Sequence, residues 1–401
     1  MPTERVVKRR PKDRKAQIAR ASADAFSELG YHAVSMDVIA GRVGITAAAL
    51  YRHSSSKYEL FRDAVLALGR QLVDATAFVD SAPEDAEPAP LLDDIVAALV
   101  DTVIANRTAG GLYRWEGRYL RAEDQAQLMD QMKIVNRRIH RPLVRLRPGL
   151  SSRERWTLSA AALSVIGSIV DHRTALAVRD MRVVLAELAI ATLFAELPTF
   201  TEARPVQSTP QDPAVDGDRY ETLLRESMLL FHKQGYRETS MEDIAAAVGM
   251  PASGIYRHFD SKAELLAASF RRAADQVSAD VANIVVAERD PRRAMQRLIA
   301  AYVERSFNDP ELAYVYFTER VNLPPDDEVI LRGIQRATVE SWSEVLISAR
   351  PELSVERARF AVHAAFALVV DLGRLVQFAD DTQSRAYVRR MTEAALGIPA
   401  G

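Results

Sequence analysis

"GIYRHFDSKAELL" occupies residues 254–266, and "ALYRHSSSKYELF" occupies residues 49–61. The two stretches share Tyr, Arg, His, Ser, Lys, Glu and Leu in register. Reading outward without gaps, "SMDVIAGRVGITAAALYRHSSSKYEL" (35–60) lies on "SMEDIAAAVGMPASGIYRHFDSKAEL" (240–265), with 14 of 26 positions identical. Farther upstream, Ile18, Phe26 and Gly30 fall on Leu223, Phe231 and Gly235. Agreement over such a length marks an internal duplication and not a chance motif.

Each copy reads as three short helices and the start of a fourth. In the first, helix one runs from about Lys15 to Leu29, with Ile18, Ala25, Phe26 and Leu29 as its inner stripe. Gly30 and Gly235 end their helices as left-handed residues, which lack the Cβ that would clash there. Ser35 and Ser240 stand as N-caps of a second helix, and Asp243 is placed to return the bond in the second copy. "VGI" and "VGM" then put glycine between apolar residues, the turn of a helix-turn-helix. The third helix covers 46–53 and 251–258, capped by Thr46 and opened by Pro251. Leu50 and Ile255 anchor it inward. That leaves Ala47, Ala48 and Arg52 outward in one copy and Ala252, Ser253 and Arg257 in the other. Small residues beside one arginine suit a helix whose backbone lies close in a major groove, where arginine reads guanine.

Ser56-Lys57-Tyr58-Glu59 and Ser261-Lys262-Ala263-Glu264 have capping-box spacing. They put Lys57 and Lys262 in the first turn of a fourth helix, where the helix dipole disfavours a cation by up to about 1 kcal/mol. A phosphate would reverse that balance, because free N–H groups and the ammonium would act on it together. Tyr51, His53, Tyr256 and His258 flank the same edge with hydroxyl and imidazole donors. The plainer alternative is that Tyr and His pack the turn and the lysine is an incidental surface charge.

The combination G-Y…S-M…I-A…V-G…Y-R-H…S-K…E-L, whole in each copy, resembles the TetR family of transcriptional regulators. The resemblance covers roughly 50 residues per copy. It implies an all-α chain of two tandem units, each a helix-turn-helix headpiece on a helical ligand-binding and dimerisation domain. By position, the base-facing residues would be Ala47, Ala48, Ala49 and Arg52, then Ala252, Ser253, Gly254 and Arg257. The phosphate set would be Ser35, Tyr51, His53 and Lys57, then Ser240, Tyr256, His258 and Lys262. The implied partners are double-stranded operator DNA and a small-molecule effector, with no cofactor. Two features depart from the family. Two copies are fused where members usually have one. Ser54 stands where an aromatic or bulky apolar residue is usual and where the second copy has Phe259.

The organisation expected is a basic arm (1–14), a first headpiece (15–62) and its helical domain (63–197). A Pro/Thr/Asp-rich linker (198–218) leads to a second headpiece (219–267) and domain (268–401). Arg5, Lys8, Arg9, Arg10, Lys12, Arg14 and Lys15 give the start a local positive charge, a minor-groove arm or a solubilising tail, on a chain of net charge −2. Long apolar helical patterns at 155–178 and 357–379, each followed by another helix (180–196 and 382–396), read as core or as a helix-pair interface between copies or chains. Such an interface would make the chain an internal pseudo-dimer or half of a larger homodimer.

There is no cysteine, which excludes disulfides and thiolate chemistry. No apolar run reaches the roughly 18–20 residues of a membrane span, so the cytoplasm is expected. The seven histidines show no metal spacing, and no nucleophile-elbow or phosphate-loop pattern appears, so an enzyme is not expected. "YRWEGRYLRAED" (113–124) and "VYFTERVNLPPDD" (315–327) resemble a segment of family members that answer to acyl-CoA thioesters. Trp115, Arg118, Tyr119, Phe317, Arg320 and Asn322 could line an amphipathic pocket there, with His172 a polar group in an apolar helix. Packing of these residues on the core is the competing reading. The expected function is a ligand-responsive DNA-binding repressor. The alternative is a sensor whose headpieces have lost DNA binding and which acts through protein partners.

Overall fold

The computed structural model describes residues 11–108, 110–198 and 219–399. Among the described residues the chain is helical, with no strand, and forms two compact units, Met1–Pro148 and Gly149–Gly401. The first unit holds α1 (Pro11–Ala33), α2 (Met36–Val43), α3 (Ala47–Leu50), α4 (Lys57–Ala75) and α5 (Phe78–Ser81). It continues with α6 (Pro88–Ala105), α7 (Gly111–Trp115), a 3₁₀ turn (Glu116–Tyr119) and α8 (Ala122–Leu146). Helix α1 already begins at Pro11, so Arg14 is helical and donates to the Val43 carbonyl at 3.3 Å. The basic arm therefore does not extend to residue 14, and Arg5, Lys8, Arg9 and Arg10 lie outside the described residues. Gly30 interrupts α1 with φ 73° and ψ 163°, a backbone region open to glycine. Phe26, Ile39, Leu50 and Phe61 close the headpiece core.

The second unit begins with α9 (Ser152–Gly167), a 3₁₀ turn (Ser168–Val170) and α10 (Val178–Leu193). The second headpiece follows as α11 (Arg219–Gln234), α12 (Met241–Ala247) and α13 (Ala252–Ile255), then α14 (Lys262–Ala287). The body is α15 (Pro291–Asn308), α16 (Pro310–Glu319), a 3₁₀ turn (Arg320–Asn322), α17 (Pro325–Ala349), α18 (Val355–Leu375) and α19 (Thr382–Ala395). Helices α9 and α10 pack on α18 and α19. Ser164 donates to Asp371 at 2.6 Å, Arg357 pairs with Glu187 at 3.3 Å, and the His172 and His363 rings stack at 4.1 Å. The compact units thus do not follow the duplication: the boundary falls at 148/149, because the last two helices of the first copy bury their apolar faces on those of the second.

The helix expected over 155–178 breaks at Gly167. Side chains there take the backbone groups that a continuing helix would use: Thr174 N–H donates to His172 Nδ1, and Arg173 donates to the Val170 carbonyl. Among the described residues no helix is long and apolar enough to cross a membrane.

Candidate nucleic-acid interface

Each headpiece presents its third helix beside the start of its fourth. The third helix is shorter than the expected eight residues: α3 and α13 have four residues each, followed by tighter turns in which His53 N–H reaches the Leu50 carbonyl and His258 N–H the Ile255 carbonyl. Thr46 caps α3 by accepting from Ala49 N–H at 3.2 Å. Leu50 and Ile255 are fully buried. Ala48, Arg52 and His53 are exposed, as are Ser253, Arg257 and His258; Ala47, Ala49, Ala252 and Gly254 are half-buried. Tyr51 and Tyr256 are 55% and 49% exposed, large for aromatic side chains beside a core. The residues expected to face bases and phosphates are thus exposed or half-buried in each headpiece.

The two lysines are placed differently from the expectation of an unmet cation. Lys57 Nζ donates to the Tyr31 carbonyl at 3.0 Å and lies 4.4 Å over the Tyr31 ring. Lys262 Nζ donates to the carbonyls of Tyr236 and Thr239 at 2.5 and 2.6 Å and lies 4.4 Å over the Tyr236 ring. Carbonyls at and just past a helix C-terminus lack intrahelical partners and carry partial negative charge. An ammonium at the start of helix four is thus answered by the end of helix one, and its position needs no outside anion. Burial pulls the Lys262 ammonium below the ordinary lysine value, with Glu238 and Glu319 opposing that pull.

The capping boxes at the same place are also modified. Ser56 and Ser261 accept from Glu59 and Glu264 N–H at 3.2 Å each, as expected. The carboxylates reach one residue farther back, to Ser55 N–H at 2.8 Å and Asp260 N–H at 2.7 Å. These bonds and the Ser54 hydroxyl hold the Glu59 carboxylate below its usual range.

Two substitutions make the headpieces unlike. Phe259 is buried and stacks on Tyr220 at 5.2 Å, whereas Ser54 turns its hydroxyl to Glu59 at 3.1 Å. At the second helix, Ser240 and Asp243 form a complete capping box, and the Ser240 hydroxyl also donates to the Asp243 carboxylate at 2.7 Å. Val38 stands at the matching position, so Ser35 only accepts, from Val38 N–H at 3.3 Å. Asp243 thus gives the second headpiece a capping carboxylate that the first lacks at this position.

The residues expected to contact a ligand make contacts within the fold. Trp115 is buried; Arg118 donates to the Tyr119 hydroxyl at 2.6 Å, and Tyr119 stacks on Tyr31 of the headpiece at 5.5 Å. In the second unit Asn322 donates to Glu319 at 3.0 Å, Phe317 packs edge-on to Tyr316, Arg320 is exposed, and His172 lies in the α9–α18 packing. The Trp115–Tyr119 segment therefore braces a headpiece. Tyr58 adds to that brace by donating to Asp124 and accepting from Arg121 N–H at 2.7 Å. Burial first, and the Asp124 bond next, push the Tyr58 phenol up.

A family model described as "Bacterial regulatory proteins, tetR family" matches residues 18–64 and again residues 223–269. The HTH-type transcriptional activator FasR of Mycolicibacterium smegmatis is 46% identical over 54 residues, 13% of this chain and 25% of its own length. The regulator YerO of Bacillus subtilis is 24% identical over 194 residues, 45% of this chain and 66% of its own. The HTH-type transcriptional repressor KstR2 of Rhodococcus jostii is 27% identical over 166 residues, 39% of this chain and 81% of its own. The chain thus spans a quarter of the first relative and just under two thirds of the second. With the doubled match falling on both three-helix headpieces, the chain carries two TetR-like units in tandem.

Proposed function

We propose that the chain is a cytoplasmic repressor that binds operator DNA through two non-identical headpieces and lets go when an amphipathic small molecule binds. Its halves act as an internal pseudo-dimer. The observation that carries this reading is the packing of α9 and α10 on α18 and α19 within one chain, which supplies the helix-pair contact that a second subunit would otherwise bring. Arg52 and Arg257 are the proposed base readers, and Tyr51, His53, Tyr256 and His258 the proposed phosphate contacts. The six segments read from the sequence, with the first helix begun at Pro11, serve as the working division of the chain. In the second unit, α14 runs unbroken from the headpiece core at Leu265 and Phe270 into the body, so a ligand held in the body can tilt the headpiece.

The test is gel retardation of the DNA upstream of this chain's own coding sequence. Affinity should fall steeply between 50 and 200 mM salt. Arg257→Ala should relax base preference, and Arg52→Ala should do so at the other half-site. Absence of any retarded complex would overturn the DNA-binding reading. Ser54 and Asp243 favour a second reading, in which one headpiece has lost DNA binding and acts through a protein partner. Under it, one of the two arginine variants is silent.

A further inference from the structure

The second unit contains a cleft of about 650 Å³ between α14, α15 and α17. This lies within the range of small-molecule sites, roughly 300–1,000 Å³. None of the ligand residues expected from the sequence lines it. Its walls are aliphatic, with Val281, Val285, Ala294, Ala337 and Val345. The helix α17 side adds Thr338, Ser341 and Ser348.

At the matching place in the first unit, arginines stand where the cleft is lined. Helices α8 and α17 have 25 residues each, and aligned on their first residues Arg138, Arg141 and Arg145 fall on Ser341, Glu344 and Ser348. Those three positions line the cleft. The arginines instead reach across to the chain after α4. Arg138, itself 8% exposed, pairs with Asp80 through two nitrogens and donates to the Thr76 hydroxyl at 2.9 Å. Arg141 donates to the carbonyls of Val79 and Ala82, and Arg145 to those of Glu84 and Ala86. Guanidinium forks that meet several carbonyls at once hold this segment down. Helix α4 stops at Ala75, while α14 continues to Ala287 and forms a wall.

The chemistry of the rim selects a ligand. Glu288 and Glu344 outnumber Arg289. Thr338 and Ser348 spend their hydroxyl protons on the carbonyls of Ile334 and Glu344, so they offer acceptors only. An anionic head meets repulsion here, and a head that donates hydrogen bonds and carries positive charge does not.

We propose that the chain holds one effector site, in the second copy only, and that it takes aliphatic amines of the cationic amphiphile class. This rests on the ligand-responsive reading above and narrows it. The experiment titrates the full chain, without DNA, with the neutral fluorescent probe N-phenyl-1-naphthylamine. One equivalent should bind per chain. Decylamine should displace it at a tenfold or more lower concentration than decanoyl-CoA. Ser341→Arg, which copies the first unit, and Ala337→Trp, which fills the cleft, should each weaken binding at least tenfold, with folding checked by thermal melting. Two equivalents per chain, binding unchanged in both variants, or decanoyl-CoA displacing better than decylamine would each overturn the proposal. Gel retardation of ligand-free chain reports separately on the regulator reading, because none of these variants touches a headpiece.

Discussion

Lys262 is the residue through which the second headpiece is fastened, and its role is measurable. Lys262→Met keeps the aliphatic stem and removes the donor to three carbonyls. Hydrogen bonds from a charged group contribute about 1.5–3 kcal/mol, reduced here by partial exposure, so a loss of about 1–2 kcal/mol is expected in urea unfolding. Arg257→Ala, at an exposed position, should leave stability within about 0.5 kcal/mol. A Lys262 variant as stable as the parent would show that the carbonyls do not need it. Asp243 gives a pH signature. The Ser240 hydroxyl first, and its N–H second, hold the Asp243 carboxylate below its ordinary value of 3.8. A lowered folded value means that ionisation favours folding. The contribution is whole above 3.8 and is lost as pH falls through the lowered value. Asp243→Asn should therefore melt earlier than the parent at pH 7, with the gap closing at pH 3. Both capping serines, and the positive φ of Gly30 and Gly235, were legible in the sequence, because each depends on neighbours within a few positions. The lysine's partners were not, since the acceptors lie 23 to 26 residues upstream and meet it only when helices one and four cross.

Among the elements, the fourth helix of each copy differs most. Helix α14 has 26 residues and α4 has 19, although both begin with the same Ser-Lys-x-Glu signal. The arginine row on α8 supports the shorter one. Arg138→Ala leaves Asp80 and the Thr76 hydroxyl without this donor. It should destabilise the first unit by about 2–3 kcal/mol, read as a lowered urea midpoint at unchanged slope. Asp80 is held below its usual carboxylate range chiefly by the Arg138 bond. Nothing local announces this lock. "RRIHRPLVR" at 137–145 reads as a solvated charged face, because periodicity places side chains on a surface without saying which backbone carbonyls lie opposite. The ends of α9 and α18 were hidden for a related reason: Gln377 and Phe378, at φ 57° and 46°, close α18 without a glycine at either position.

For the molecule as a whole, the duplication was legible and the division into compact units was not. Identity between the copies locates both headpieces, but the faces of α9, α10, α18 and α19 are simply apolar and name no partner. If their packing replaces a subunit interface, sedimentation at micromolar concentration should give a single 44.5 kDa species. Nuclease protection should then show two unlike half-sites, since Ala48 and Ser253 face outward at matching positions. A species of twice that mass, protecting a true palindrome, would point to an ordinary homodimer of the fused chain.

The meeting of α9 and α10 with α18 and α19 inside one polypeptide also bears on inheritance. Two genes encoding a paired regulator can trade partners, and a damaged copy can poison a sound one. Here the paired helices are translated together in a one-to-one ratio, so dilution does not part them and a paralogue cannot intrude by exchange. Each half is then at liberty to drift on its own. A closed arginine row in one copy and an open cleft in the other are the sort of divergence that such permanent linkage allows.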